Sequence, residues 1–305
     1  MCGIGGIYTA PGNNLPLTPL GSLWAALEDR GGHAAGVGWL YEDGDKVLVS
    51  KGVGEASDLI RAGALKQVGS ITRFAMLHTR YTTHGSVHNN GNNHPVVAQG
   101  IVLTHNGVVS NHTEVFRELG CTRRHQVDTE SINAALRAGG PEAVYDLVQG
   151  SWSLAWVDVR ESRETLNLMT NGRNPLVIGR TVDGDVVWAS NLYHLDAFDL
   201  QSSFNAQPYK VYTITEDAVI RSRFVEGAPQ DTYPTVLGRR SHAAAWGSVG
   251  SPTTVDESVP SRGTHRTAKG GSSTHRRSKS THNTQSKATT KTLEDSGWVF
   301  SESTG

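Results

Sequence analysis

Apolar residues recur with helical spacing at Leu20, Leu23, Trp24 and Leu27, and this stripe predicts a first helix. Thr18 is read as its N-cap, Pro19 as its first helical residue and Gly31-Gly32 as its end. Before it, Ile4 and Ile7 among glycines read as a short strand. Residues 33–40 form a small-residue, buried strand, and a polar turn over residues 41–45 leads into a second strand over residues 46–51. Residues 73–78 are a core strand that delivers residues 79–85 into a loop. A polar run, His88 to His94, is closed by Pro95, after which residues 96–98 and 101–103 pair around Gln99-Gly100.

Further on, Asn111 and Glu114 have the spacing of a capping box that opens a helix ending at Gly120. Asp128 or Thr129 caps another helix running to about Arg137, and Pro141 starts a third. Short strands follow at residues 151–159, 165–169, 176–179 and 186–190, then a last hairpin at 209–214 and 219–223 turning at Glu216-Asp217. Helices enclosed between two sets of strands predict a layered α+β fold rather than alternating βαβ units. Near Gly227 the pattern ends. The chain from 227 to 305 is rich in Ser, Thr, Gly, His, Lys and Arg, and is read as a disordered, locally basic tail appended to a domain over residues 1–226. Trp298-Val299-Phe300 is the one apolar cluster in that tail, either a docking motif or a remnant without consequence.

Composition narrows the function classes. A formal net charge of −1 over 305 residues excludes a molecule-wide nucleic-acid footprint and leaves only weak contact through the basic tail. The 2 cysteines cannot build a disulfide framework, and Cys121 reads as a lone small residue in a loop. There is no long apolar run of membrane-spanning length and no leader-like N-terminus, so a cytoplasmic, reducing location without a membrane partner is expected.

Several residues carry chemistry, each beside a plain structural alternative. Cys2 follows the initiator methionine, and trimming of Met1 would place a thiol and a free α-amine on one residue, a nucleophile with its own base. The alternative is a small apolar residue at a frayed end. Arg80 with Thr83 and His84 suits a carboxylate, or a surface turn with a salt bridge. Asn106-Gly107 reads either as a type I′ hairpin turn or as an oxyanion hole made by an amide and a backbone N–H. Asp128 is an N-cap or the holder of a ligand ammonium, and Arg30 with Gly31-Gly32 reads as a helix end. His88 and His94 lack acidic or cysteine companions at ligand spacing, so no metal and no cofactor is expected.

Together these clusters resemble the class II glutamine amidotransferases, whose catalytic domain is an N-terminal-nucleophile hydrolase. The carriers are Cys2-Gly3-Ile4-Gly5-Gly6, Arg30-Gly31-Gly32-His33-Ala34-Ala35-Gly36, His78-Thr79-Arg80-Tyr81-Thr82-Thr83-His84-Gly85, Asn93-His94-Pro95, His105-Asn106-Gly107, Asp128-Thr129-Glu130 and Pro175-Leu176-Val177-Ile178-Gly179. They span Cys2 to Phe224, with most resemblance to the glutaminase domain of glucosamine-6-phosphate synthase and next to that of glutamine phosphoribosyl-pyrophosphate amidotransferase. The resemblance implies a four-layer αββα sandwich. It implies that Cys2 attacks the side-chain amide of glutamine, that Asn106 and Gly107 stabilise the oxyanion, and that Arg30 positions the terminal residue. Arg80, Thr83 and His84 would hold the α-carboxylate and Asp128 the α-ammonium. Tyr81 is grouped with the substrate-binding residues.

The sequence departs from the family pattern in two places. Tyr81 replaces Trp, in the loop expected to shield the thioester and channel ammonia, and Val96 replaces a second His after Pro. The low-complexity tail stands where the family carries a synthase domain, and the chain has no G-x-x-x-x-G-K phosphate loop. The leading expectation is therefore a glutaminase that feeds ammonia to a separate acceptor enzyme. The alternatives are a γ-glutamyl amide hydrolase that needs no partner and a non-catalytic glutamine-binding scaffold.

Overall fold

The structure, a computed structural model, describes residues 1–41, 46–229 and the dipeptide 290–291. Most of the predicted tail, Trp298-Phe300 included, and most of the 41–45 turn lie outside the described residues. Two antiparallel sheets form the centre of the molecule. In the first, eight strands run in the order β11 (Leu200–Asn205), β9 (Val177–Thr181), β10 (Val186–Ala189), β1 (Gly3–Tyr8), β4 (Phe74–Arg80), β2 (Ala34–Leu40), β3 (Val47–Val53) and β14 (Thr290–Lys291). In the second, six strands run β13 (Ile220–Phe224), β12 (Lys210–Ile214), β8 (Leu166–Thr170), β7 (Gly150–Asp158), β6 (Ile101–Val109) and β5 (Val96–Ala98).

Strand alternation explains the layers. On β1, Ile4 and Tyr8 enter a core shared with Val102, Ala155, Val157 and Leu168 of the second sheet, whereas Ile7 joins Leu20, Leu23, Trp24 and Leu27 on the opposite face. On β4, Phe74 and Met76 face the second sheet, and Ala75 and Leu77 face the helices. The helices α1 (Leu17–Ala26), α2 (Ala56–Arg61) and α3 (Ala64–Val68) cover the first sheet. The helices α4 (His112–Glu118) and α5 (Glu130–Leu147) cover the second, through Val115, Ile132, Leu136 and Val144. The result is the expected αββα sandwich. Trp24, fully buried, ties the outer layer to the sheet by donating its indole N–H to the His78 carbonyl at 3.1 Å.

Several local expectations are corrected. α1 starts at Leu17 behind Pro16 with no side-chain cap, so Thr18 and Pro19 lie within its first turn. Asn111 precedes α4, but its amide bonds the Leu147 carbonyl and the Gln149 N–H, which ties two loops together and makes no capping box. α5 breaks at Gly139-Gly140 and resumes at Pro141, so the two predicted helices share one run. β4 continues through Thr79 and Arg80, which were expected in a loop. Residues 56–68 and 200–205 carried no predicted element. Their helices are too short for a period to show, and β11 is a half-exposed edge strand rich in polar residues. At the C-terminal end Ala228 packs into the core under α5, two residues past the predicted boundary at 226.

Candidate active site

Cys2 sits just ahead of β1, at the end of the layer between the sheets, and is 8% exposed. Its thiol points at the Tyr81 carbonyl, 3.5 Å away, where the chain leaves β4. Arg30, in the 3-10 turn Leu27–Arg30 after α1, donates Nε–H to the Cys2 carbonyl at 2.9 Å. With the Asn191 amide oriented to satisfy its neighbours, its oxygen accepts from Arg30 Nη1 at 3.0 Å, so Arg30 is held from both sides. The helix-end residue is therefore a clamp on the N-terminal segment. Burial pushes the Cys2 thiol above its ordinary range; Asp128 pushes the same way, and the N-terminal amine and Arg80 pull it back. The thiol rests neutral, and a nucleophilic step needs a base beside it.

Asn106-Gly107 is not a hairpin turn. Both residues lie within β6, opposite Ser153 and Trp152 of β7. Asn106 is fully buried, and neither its amide nitrogen nor its amide oxygen has a protein partner. Leaving such a group unpartnered costs on the order of 1–3 kcal/mol, so folded proteins seldom retain one without a use. Gly107 has a φ of +152°, and a Cβ there would lie 1.8 Å from the Ser151 carbonyl oxygen, so glycine is required. Asn174 fixes this stretch from behind by donating to the Asn106 carbonyl at 2.8 Å.

Arg80 is 2% exposed, and its fork is already engaged. Nη1 donates to Asn93 Oδ1 at 2.7 Å, and Nη2 to the His84 and Gly85 carbonyls at 2.5 and 2.9 Å. It thus fixes the 81–85 loop as well as placing a charge near Cys2. Thr83 is exposed on that loop, and Tyr81, half exposed, stacks on His33 at 4.8 Å. His84 Nδ1 lies 4.0 Å from Asp128 Oδ1. Asp128 does not cap α5: its Oδ2 accepts from the Val109 N–H at 2.7 Å, which braces β6 just past Asn106-Gly107. Oδ1 remains directed toward His84. The structure therefore gathers Cys2, Arg30, Arg80, Tyr81, His84, Asn106, Gly107 and Asp128 around one end of the inter-sheet layer.

Sequence reasoning gave no role to the buried polar floor of this region. His78, His94 and His105 are at most 3% exposed, and His78 stacks on His94 with centroids 4.0 Å apart. His78 Nε2 donates to the His105 carbonyl at 3.0 Å, joining β4 to β6. His105 Nε2 faces the Ser151 carbonyl, so its Nδ1 accepts from the Thr129 hydroxyl, which in turn accepts from His94 Nε2, both at 2.9 Å. Thr129, expected as a helix cap, is the hub of this relay. His88 plays no part in it and stands exposed, and among the described residues no cluster of metal-ligating side chains occurs.

The relay is a liability in acid. Burial holds His94 and His105 below the ordinary histidine range and His78 down to about 3. The unfolded chain protonates near pH ~6.5, so below that value it binds more protons than the folded one. Stability is complete above pH ~6.5 and is lost as pH falls toward the folded values, by ~1.4 kcal/mol per pH unit for each histidine. The urea midpoint is expected to drop steeply between pH ~7 and ~5, and His94→Gln to flatten that slope.

Residues 78–197 match the family described as "Glutamine amidotransferase domain", a span that includes Arg80, Asn106, Gly107 and Asp128. The glutamine–fructose-6-phosphate aminotransferase (isomerizing) of Aquifex aeolicus is 33% identical over 190 residues, 59% of this chain and 31% of that protein. The same-named protein of Streptococcus pyogenes is 30% identical over 192 residues, again 59% of this chain and 30% of that protein. The amidophosphoribosyltransferase of Bacillus subtilis is 26% identical over 219 residues, 65% of this chain and 43% of that protein. The chain thus spans between 30% and 43% of the length of these relatives. Among solved structures, the glutamine phosphoribosylpyrophosphate amidotransferase of B. subtilis, complexed with ADP and GMP, superposes with a TM-score of 0.61 at 21% identity, over 74% of this chain and 50% of that chain. An αββα sandwich with these layers is the fold of the N-terminal-nucleophile hydrolases. Within that fold, the chain is similar to the class II glutamine amidotransferases.

Proposed function

We propose that the protein hydrolyses the side-chain amide of glutamine through a Cys2 thioester and releases ammonia for a separate acceptor enzyme. The observation that carries this reading is the buried, unpartnered amide of Asn106, next to His105, whose carbonyl accepts from His78 opposite Ile4 on the strand that Cys2 leads into. After removal of Met1, the Cys2 α-amine takes the thiol proton as Sγ bonds to the amide carbon. The oxyanion is received by Asn106 Nδ2 and the Gly107 N–H, and the proton passes to the departing nitrogen, which leaves as ammonia. Water then adds to the thioester carbon, the C–S bond breaks and the proton returns to sulfur, giving glutamate. Arg80, with Thr83 and His84 on the loop it fixes, receives the α-carboxylate, and Asp128 the α-ammonium.

Asp128→Asn keeps an acceptor for the Val109 N–H and removes only the charge, so it separates recognition from folding. Losing one partner of a buried charged pair costs about 2–5 kcal/mol. Asp128→Asn and Arg80→Ala are therefore expected to raise the KM for glutamine far more than they lower kcat. A pure kcat effect at both positions is incompatible with these roles.

The isolated protein is expected to show weak glutaminase activity, rising when an acceptor enzyme and its substrate are added. A coupled assay for glutamate and ammonia, with glutamine beside larger γ-glutamyl amides, tests this. Full-rate hydrolysis of glutamine alone argues against a partnered role, and preference for a larger amide identifies a γ-glutamyl amide hydrolase instead.

A further inference from the structure

Lys51 lies on β3 opposite Gly36 of β2, and its side chain crosses to the segment after the short 3-10 turn Asn90–Asn92. There Nζ donates to the carbonyl oxygens of Asn93 at 2.6 Å and Pro95 at 2.7 Å. Asn90 Nδ2 returns a bond to the Lys51 carbonyl at 3.2 Å. Gly36 makes this approach possible, because a Cβ there would lie 2.1 Å from the His94 carbonyl oxygen and 2.7 Å from Lys51 Cβ. The residue as a whole is half-buried, but its ammonium end is enclosed, and burial, followed by the charge of Arg80, pushes it down to about 7. Enclosing a flexible cation against backbone carbonyls costs desolvation and rotamer entropy. Such an arrangement persists where the bonds it makes hold something else in place.

What it holds is Asn93. That residue is fully buried, and all of its polar groups are engaged. Its N–H donates to the Asn90 carbonyl, its Nδ2 to the Val87 carbonyl at 2.8 Å and to Asn90 Oδ1 at 3.1 Å. Its Oδ1 accepts from Arg80, and its main-chain oxygen from Lys51. Two basic side chains therefore donate to one asparagine, Lys51 at the backbone end and Arg80 at the side-chain end. An amide anchored on only one side pivots about χ1, and the guanidinium it holds moves with it.

We infer that Lys51 is a positioning residue for substrate recognition: it locks the backbone of residues 93–95 so that the Asn93 amide holds Arg80 in the orientation that receives a carboxylate. The inference rests on the role proposed above for Arg80. Lys51 touches no reacting atom in this scheme, so its loss acts on binding and leaves the chemical step alone.

The test uses the full chain. Lys51→Met keeps the length of the side chain and removes the donors. It is expected to raise the KM for glutamine by about tenfold or more with kcat within about twofold, as loss of an interaction made equally in ground and transition states does. Lys51→Arg, which restores donors, is expected to recover most of the loss, and Lys51→Gln, which keeps one donor group, to fall between them. The Lys51→Met/Asn93→Ala double variant should be no worse than Asn93→Ala, because the lock acts through Asn93. Hydrogen exchange read by mass spectrometry should show faster exchange over residues 86–95 in Lys51→Met and unchanged exchange in α1. An unchanged KM in Lys51→Met, a loss confined to kcat, or unchanged exchange over 86–95 overturns the inference. Wild-type protein that turns over no glutamine would overturn the reading of the site instead. If Lys51→Met does not fold, Lys51→Gln and Lys51→Arg decide by the same KM comparison.

Discussion

Cys2→Ala is expected to abolish glutamine turnover, lowering kcat by about 10⁴–10⁶-fold, as loss of a catalytic nucleophile does elsewhere. Burial keeps this thiol neutral at rest, so its reactivity depends on a base close enough to take the proton at the moment of attack. The N-terminal amine is that base only when it belongs to Cys2 itself, that is, after Met1 has been removed. Intact mass of active protein should accordingly lack Met1, and a glutamine-analogue electrophile should label the N-terminal peptide. The substitution removes one sulfur from a site at the end of the inter-sheet layer and leaves the strand pairing of β1 untouched, so folding and glutamine binding are expected to survive. Activity in protein that retains Met1 would sink the mechanism, since the amine would then sit one residue away.

The second large effect is expected at Asn106. Asn106→Ala removes one oxyanion donor and should lower kcat by about 10²–10³-fold with little change in KM. Its side chain makes no hydrogen bond to protein, so the substitution breaks none and relieves a buried unsatisfied amide. Thermal stability is therefore expected to hold or to rise while catalysis collapses. That combination separates a group retained for chemistry from one retained for packing, whose loss would lower Tm and activity together. A change in KM alone would show that Asn106 contacts the ground state of the substrate and not the developing charge.

The layering was legible in the local pattern, and so were the polar clusters that are candidates for chemistry. Alternation along β1 and β4 and the Leu20, Leu23, Trp24, Leu27 stripe are local patterns, and each assigns a buried face without reference to any distant residue. Motif order singled out the candidates: Cys2, Arg30, Arg80, Asn106-Gly107 and Asp128 stand out because their neighbours resemble a family pattern. Tertiary structure alone decided what each polar group bonds to. Asn106-Gly107 has the local chemistry of a hairpin turn, yet pairing with β7 places it inside a strand, because a ladder along the whole of β6 outweighs the preference of two residues. Asp128 and Thr129 have the chemistry of helix caps, yet the Val109 N–H and the rings of His94 and His105 claim them first. Lys51 is only the last residue of the predicted strand over residues 46–51, and nothing in its neighbours marks it. Its role becomes visible only when β3 is brought against residues 93–95, since Asn93 and Pro95 offer it carbonyl oxygens, and every residue type has one of those.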